Sequence, residues 1–209
     1  MLSMQEAELM GMHTGDGSLY KTSKNSLVWE IRGGLDEKEY YNTFVKKLLK
    51  QIFDITCVPK IRSGGAKGSY GIQTSRKEIT AWLIQKGFKP GSKTFTVRIP
   101  NIIFKSSKQA KYAFIRGFFD TDGCLRFDSN KYRKHFYPKI ELSSASKGLI
   151  DDLISLLKTV DLDCYYWQDR AYHKICLAGK FKTMRGFKTV SSNNPKHLNK
   201  FLNWKNKGL

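Results

Sequence analysis

The chain has 209 residues, 40% of them hydrophobic, with thirteen Phe, ten Tyr and four Trp, which excludes a disordered polyelectrolyte and suffices for a substantial core. Lys and Arg number 37 against 18 Asp and Glu, and the resulting +19 suits a polyanionic partner, either nucleic acid or an anionic membrane surface. No run approaches the roughly 20 apolar residues of a membrane span, so nucleic acid is the expected partner, with a Lys-rich solvated surface as the plain alternative.

Ser3-Met4-Gln5-Glu6 has the pattern of a capping box and predicts a helix from there to about Gly15. After Asp16-Gly17, Leu19 to Thr22 and Leu27 to Arg32 alternate apolar and polar residues around a turn at Thr22 to Ser26 and read as strands. Glu37 to Phe53 reads as an amphipathic helix with Tyr41, Phe44, Val45, Leu48, Leu49 and Phe53 on its inner stripe. Cys57 to Arg62 and Ser69 to Thr74 are strand-like, joined by the Gly-rich turn Gly64 to Gly68, and Ile79 to Lys86 is a helix ended by Gly87.

The second half repeats this order. Ser106-Ser107-Lys108-Gln109 is a second S-x-x-Q cap, opening a helix that ends at Asp122. Leu125 to Phe127 and Lys139 to Ser143 mirror the first strand pair, and Leu149 to Leu157 mirrors the amphipathic helix. Asp161-Leu162-Asp163-Cys164 echoes Asp54-Ile55-Thr56-Cys57, 107 residues away. Tyr165 to Gln168 and His173 to Leu177 complete the strands, and Phe181 to Phe187 starts what reads as the last helix. The expected fold class is therefore α+β, with tandem αββαββα repeats over residues 1–105 and 106–209. The repeat order implies pseudo-twofold symmetry, with two helices as the central seam and an antiparallel sheet in each half.

The most informative stretch occurs twice: LMGMHTGDGSLY from Leu9, and IRGFFDTDGCLRF from Ile115. Small residues recur every fourth position, Ala7, Gly11 and Gly15 and then Ala113, Gly117 and Thr121, which puts them on one helix face where two backbones can approach closely. Both runs end in Asp-Gly, and Asp16 and Asp122 lie 106 residues apart. Gly17 and Gly123 occupy the position of a left-handed helix cap. A carboxylate in the last turn of a helix opposes the dipole at up to about 1 kcal/mol, and two such acids brought together also repel. Helix packing gives no reason for them; a divalent cation does.

These two stretches resemble the LAGLIDADG signature of homing endonucleases. The final Asp-Gly matches Asp16-Gly17 and Asp122-Gly123, and the central glycine matches Gly11 and Gly117. The second copy carries Asp120 at the first acidic position, whereas the first copy has His13-Thr14 where an apolar-acidic pair is usual. The resemblance covers nearly the whole chain. It implies a monomeric endonuclease with two antiparallel DNA-binding sheets and Mg²⁺ between Asp16 and Asp122, close to the carbonyls of Gly15 and Thr121, with Mn²⁺ able to substitute. It also implies cleavage of both strands across the minor groove with short 3′ overhangs, in an intron- or intein-like setting. A basic residue near each scissile phosphate is implied as well, and Lys93 and Lys196 hold similar loop positions before each half ends; for either alone, a solvated lysine is the plain alternative.

Strand alternation with Leu19, Leu125 and Phe127 inward turns Tyr20, Thr22, Lys24, Arg126, Asp128 and Asn130 to the other face. Glu30, Arg32, Lys60, Arg62, Gln73, Lys139, Glu141, Gln168 and Lys174 join them from other strands. Arg and Lys can meet guanine, and Asn and Gln adenine, so the face suits base reading in double-stranded DNA; a solvated sheet face is the alternative for any single residue. His13, within the seam helix, is expected to be packed rather than basic, and His135, His173 and His197 show no ligand spacing. Cys57, Cys124, Cys164 and Cys176 lack zinc spacing, and with no signal peptide they read as reduced, mostly buried thiols of an intracellular protein. The competing expectations are a non-cleaving binder on the same scaffold, an intron-splicing maturase or transcription regulator, and a basic structural RNA-binding protein.

Overall fold

The computed structural model describes residues 1–63, 68–128 and 137–206. The first half runs α1 (Met4–Thr14), β1 (Gly17–Lys21), β2 (Leu27–Gly33), a 3₁₀ turn (Leu35–Glu37), α2 (Lys38–Tyr40), a π turn (Tyr41–Val45), α3 (Lys46–Phe53), β3 (Lys60–Arg62), β4 (Ser69–Thr74), α4 (Lys77–Gln85) and α5 (Asn101–Phe104). The second half runs α6 (Lys108–Asp122), β5 (Gly123–Asp128), β6 (Tyr137–Ser144), α7 (Lys147–Lys158), β7 (Tyr165–Asp169), β8 (Tyr172–Ala178), α8 (Lys180–Thr189) and α9 (Pro195–Asn206). Each half builds one four-stranded sheet, β1-β2-β4-β3 and β5-β6-β8-β7, with every neighbouring pair antiparallel.

The local causes are visible at each start. Ser3 Oγ accepts from the Glu6 amide while the Glu6 carboxylate accepts from the Ser3 amide, so α1 opens with a complete capping box. Ser107 Oγ likewise accepts from the Ala110 amide at the start of α6. Pairing of Leu19 with Trp29 and of Ile31 with Ile72 sets one buried sheet face, and pairing of Leu125 with Ile140 and of Leu142 with Ile175 sets the other. A left-handed aspartate follows the amphipathic helix in both halves, Asp54 at φ 56° and Asp161 at φ 60°.

The seam is α1 against α6. Gly11 packs on the backbone of Phe114 and Phe118, and Gly117 on that of Glu8 and Met12, so the small-residue faces bring the two helices into backbone contact. Around them lie the fully buried Leu9, Met10, Met12, Phe114 and Phe118.

The left-handed caps expected at Gly17 and Gly123 are absent. Gly123 is extended, with φ −85° and ψ 161°, and neither glycine is among the positive-φ residues. The need for glycine there is steric: a Cβ on Gly17 would lie 2.3 Å from His13 Nδ1, and one on Gly123 would lie 2.2 Å from the Phe119 ring. The chain passes directly from helix to strand, and only a residue without a side chain clears the preceding turn. α8 is also not the last helix. α9 follows it, so Lys196 lies in the first turn of a helix rather than in a loop.

Candidate active site and nucleic-acid interface

Asp16 follows α1 and Asp122 closes α6, and the packing of the two helices carries through to these ends. A Cβ on Gly15 would lie 2.2 Å from Thr121 Oγ1 and 3.4 Å from Asp122 Cβ. Asp16 is half-buried; burial pushes its pKa up to about 8, helped by the charges of Asp122 and Glu37 and opposed by Lys93 and Lys196. Asp122 reaches the surface, yet the protein around it still raises its pKa, with Lys93 opposing. The fold thus raises the pKa of both acids, and that of Asp16 also through the charge of Asp122, an arrangement that a bound cation would relieve.

The donor set suits a hard divalent ion. Among the described residues no group of three or more His, Cys, Asp or Glu converges on a metal position. Two carboxylates beside helix-end carbonyls match the way Mg²⁺ is commonly held, by one or two acids with water and substrate phosphate as the other ligands. The residues that would hold it are Asp16 and Asp122; the Gly15 carbonyl, expected beside them, instead accepts from the Lys93 ammonium.

Lys93 is far from a solvated lysine. Its ammonium donates to the carbonyl of His13 at 2.7 Å, to that of Thr14 at 2.6 Å, and to that of Gly15, which places a cation on the terminal carbonyls of α1. Burial lowers its pKa to about 8 despite Asp122 and Asp16. Lys196 differs. It stays partly exposed and pairs with Asp36 at 3.2 Å; burial lowers its pKa, but Glu37 and Asp36 outweigh this and the net shift is upward. The two lysines thus occupy unequal stations around the acids.

His13 is 2% exposed, accepts from Trp29 Nε1 at 3.1 Å and meets the Phe88 ring edge-on at 4.3 Å. Burial and then Lys93 hold its pKa down to about 3, so it is a neutral packed ring. The second half reverses the pair: Phe119 holds the matching position in α6 and packs on His197 at 4.6 Å.

A polar cluster that the sequence reading left out ties this region together. Asp120, 0% exposed, accepts from Ser192 Oγ at 2.5 Å and from the Asn193 amide at 2.8 Å, and burial pushes its pKa up to about 7. Asn193 Nδ2 donates to Glu8 at 2.6 Å, and Arg116 grips Glu8 with two bonds of 2.8 and 2.6 Å. Asn194-Pro195, a cap residue followed by proline, is a helix-start signal that could have revealed α9. Nothing local reveals which side chains meet Asp120.

The sheet faces hold most of the expected interface residues as paired layers. On the first sheet Glu30 binds Arg32 and Arg62, each at 3.3 Å, Arg32 reaches the Lys60 carbonyl at 3.4 Å, and Gln73 donates to the Tyr20 hydroxyl at 2.8 Å. On the second, Glu141 lies between Arg126 at 3.1 Å and Lys174 at 3.7 Å, and Lys139 pairs with Asp128. Thr22 and Lys24 lie in the β1–β2 connection, beyond the strand. Gln168 departs from expectation: it pairs in register with His173, whereas Trp167 pairs with Lys174, so Gln168 points to the opposite face from Lys174. Asn130 lies outside the described residues, as do His135 and most of the turn from Gly64. Cys124 is exposed, Cys164 half-buried, and Cys57 and Cys176 buried; all four are free.

Two glycine-faced helices joined in a seam, an acid at the end of each, and one four-stranded sheet per repeat together define the LAGLIDADG homing endonuclease fold. A family model described as LAGLIDADG-like domain matches residues 109–177, a stretch that includes the second Asp-Gly motif. Its structure is similar to the homing endonuclease I-DmoI in complex with DNA and Mn, at TM-score 0.62 and 15% identity, covering 90% of this chain and 96% of that one. It is also similar to the homing endonuclease I-WcaI bound to its DNA recognition sequence, at TM-score 0.63 and 16% identity over 93% and 85% of the two chains. At these identities the likeness concerns the fold. An uncharacterized protein of Methanocaldococcus jannaschii is 29% identical over 161 residues, which are 75% of this chain and 17% of that protein. A probable translation initiation factor of the same organism is 26% identical over 106 residues, 47% of this chain and 8% of the factor. The chain spans less than a fifth of either curated relative. Among the described residues no helix is long and apolar enough to cross a membrane.

Proposed function

We propose that the chain is a site-specific endonuclease that binds double-stranded DNA as a monomer and hydrolyses one phosphodiester bond in each strand, leaving short 3′ overhangs. The observation that carries this reading is the pairing of Asp16 and Asp122 at the ends of the seam helices, where burial raises both pKa values. That arrangement is costly for folding and useful for holding Mg²⁺ or Mn²⁺. When bound, the metal supplies an activated water and stabilises charge on the phosphate. Asp16 and Asp122 each face one strand, Lys93 and Lys196 bring positive charge to the phosphates, and the polar sheet faces position the duplex. With DNA as substrate, the protein acts inside the cell.

The expected setting is an intron or an intein. Matches spanning 17% of one long relative and 8% of a probable translation initiation factor support a segment carried within longer host chains. A second reading, a nucleic-acid binder on this scaffold that does not cut, is favoured by one observation: the Lys93 ammonium already neutralises the α1 carbonyls beside Asp16.

The test uses the uninterrupted host allele with Mg²⁺ and three proteins: wild type, Asp16→Asn and Asp122→Asn. Wild type should make double-strand breaks, and both variants should bind the same DNA without making them. Ca²⁺ should support binding with little cutting. Retained double-strand cutting in either variant would remove the acids from the chemistry, and binding without cutting by wild type would establish the second reading.

A further inference from the structure

We infer that Asn194 is a positioning residue for the second motif's acid, acting as a neutral counterpart to the Lys93 ammonium of the first. The inference rests on the endonuclease reading for its kinetic part and on the geometry alone for the rest.

Asn194 is 0% exposed and every polar atom of its amide is engaged. Nδ2 donates to Glu37 Oε1 at 2.7 Å and to the backbone carbonyl of Asp120 at 2.9 Å, while Oδ1 accepts from the Lys196 amide at 3.1 Å. A helix cap needs only that last bond, since capping uses a side-chain acceptor. The two donated bonds serve another purpose. Asp120 O is one of the terminal carbonyls of α6 that have no partner within the helix, two residues before Asp122. Its counterpart in α1, 106 residues earlier, is Thr14 O, which Lys93 holds at 2.6 Å.

The two motif helices therefore end on different donors, a charged ammonium in one half and an uncharged amide in the other. The same amide fixes three things at once: the end of α6 that presents Asp122, the start of α9 that presents Lys196, and Glu37 of the first half. Glu37 is held from its other side as well, where Oε2 accepts from the Gly34 amide at 2.8 Å. Ser192 and Asn193 add their bonds to the Asp120 carboxylate, so the segment before α9 grips the end of α6 through both side chain and backbone. An acid that must place its oxygens for a metal and a phosphate depends on such outer contacts, whose loss typically costs about 10- to 100-fold in affinity or activity.

The test uses two variants. Asn194→Ser keeps an oxygen for the cap and deletes both donated bonds, and Asn194→Asp keeps the size of the side chain and replaces the donors with a carboxylate. Hydrogen exchange on the free protein should show lost protection at residues 119–124 in both variants, with residues 11–17 unchanged. With DNA and Mg²⁺, the ratio of the two strand-nicking rates should shift by about 10- to 100-fold, leaving nicked circles, while DNA affinity stays within about twofold of wild type. Exchange changes confined to residues 193–198, or uniform loss of protection across both halves, would overturn the inference, as would equal slowing of both strands. A wild type that nicks neither strand would defeat the endonuclease reading, and the exchange pattern would still decide the role of Asn194.

Discussion

A methyl group on Gly117 would lie 2.1 Å from the carbonyl oxygen of Glu8, and its mirror image on Gly11 would lie 2.0 Å from that of Phe114. The obstacles are backbone atoms on a facing helix, so neither side can yield by a rotamer change. Gly117→Ala should destabilise the protein by about 1–3 kcal/mol or more, as overpacked cores do, and Gly11→Ala should match it. Thermal melting checks this; a melting temperature equal to that of wild type would show that α1 and α6 separate without cost.

The unequal lysines should give unequal variants. Lys93→Met leaves the carbonyls of His13, Thr14 and Gly15 without their donor and removes positive charge from beside both acids. Stability should fall by about 1–3 kcal/mol, the range for loss of a bond to a charged group. Lys196→Ala breaks only a partly exposed pair with Asp36, worth about 0–1 kcal/mol, and should melt close to wild type. Under the endonuclease reading both should cut more slowly while binding DNA normally. Equal melting temperatures for the two variants would contradict the stations described for the lysines.

Asp16 gives a pH dependence of definite sign. Its folded pKa of about 8 lies above the ordinary aspartate value of 3.8, so between these values the folded state holds a proton that the unfolded state has lost. Its contribution to stability is complete below the unfolded value and declines as pH rises through about 8. Without divalent metal, Asp16→Asn should therefore gain on wild type between pH 5 and 8.5. Paired melting curves in chelator at both pH values measure the difference. A gap that stays constant or narrows with pH would mean that Asp16 is ionised throughout. Metal must displace the same proton, so Mn²⁺ affinity should rise over this range.

The +19 charge makes DNA affinity an electrolyte-dependent quantity. If about ten phosphates are contacted, raising salt from roughly 50 to 200 mM should weaken binding about 10⁵-fold. Fluorescence titrations across that interval test it, and a flat response would exclude phosphate contacts as the main source of affinity.

What the sequence disclosed follows physical lines. Strands and seam helices were legible because their signals are periodic: alternation for Leu27 to Arg32, and a four-residue spacing for Ala7, Gly11 and Gly15 and again for Ala113, Gly117 and Thr121. The inner stripe from Tyr41 to Phe53 was legible for the same reason, although the π turn within it leaves no mark on that periodicity. Gly17 and Gly123 were recognised as special for the wrong cause, because a Gly after a helix suggests a left-handed cap and only the packing reveals a steric need. Lys93 and Gln168 show two further limits. Surface lysines are common enough to hide a half-buried one, and a face assigned by alternation slips when the pairing register shifts by one residue. The Asp120 cluster joins residues up to 185 positions apart, such as Glu8 and Asn193, and no local pattern encodes such a meeting.

The bond from Asn194 to Glu37 has a consequence for protein engineering. Modular reassembly, in which one repeat is fused to a repeat from a relative to read a composite target, treats each half as self-sufficient. Here the second repeat presents an amide whose acceptor, the carboxylate of Glu37, is supplied by the first. A hybrid that keeps residues 106–209 and imports a new first repeat would bury an Asn donor opposite whatever residue replaces Glu37. Compatibility at that single position is a screening criterion for fusion partners, separate from any match between their DNA-reading surfaces.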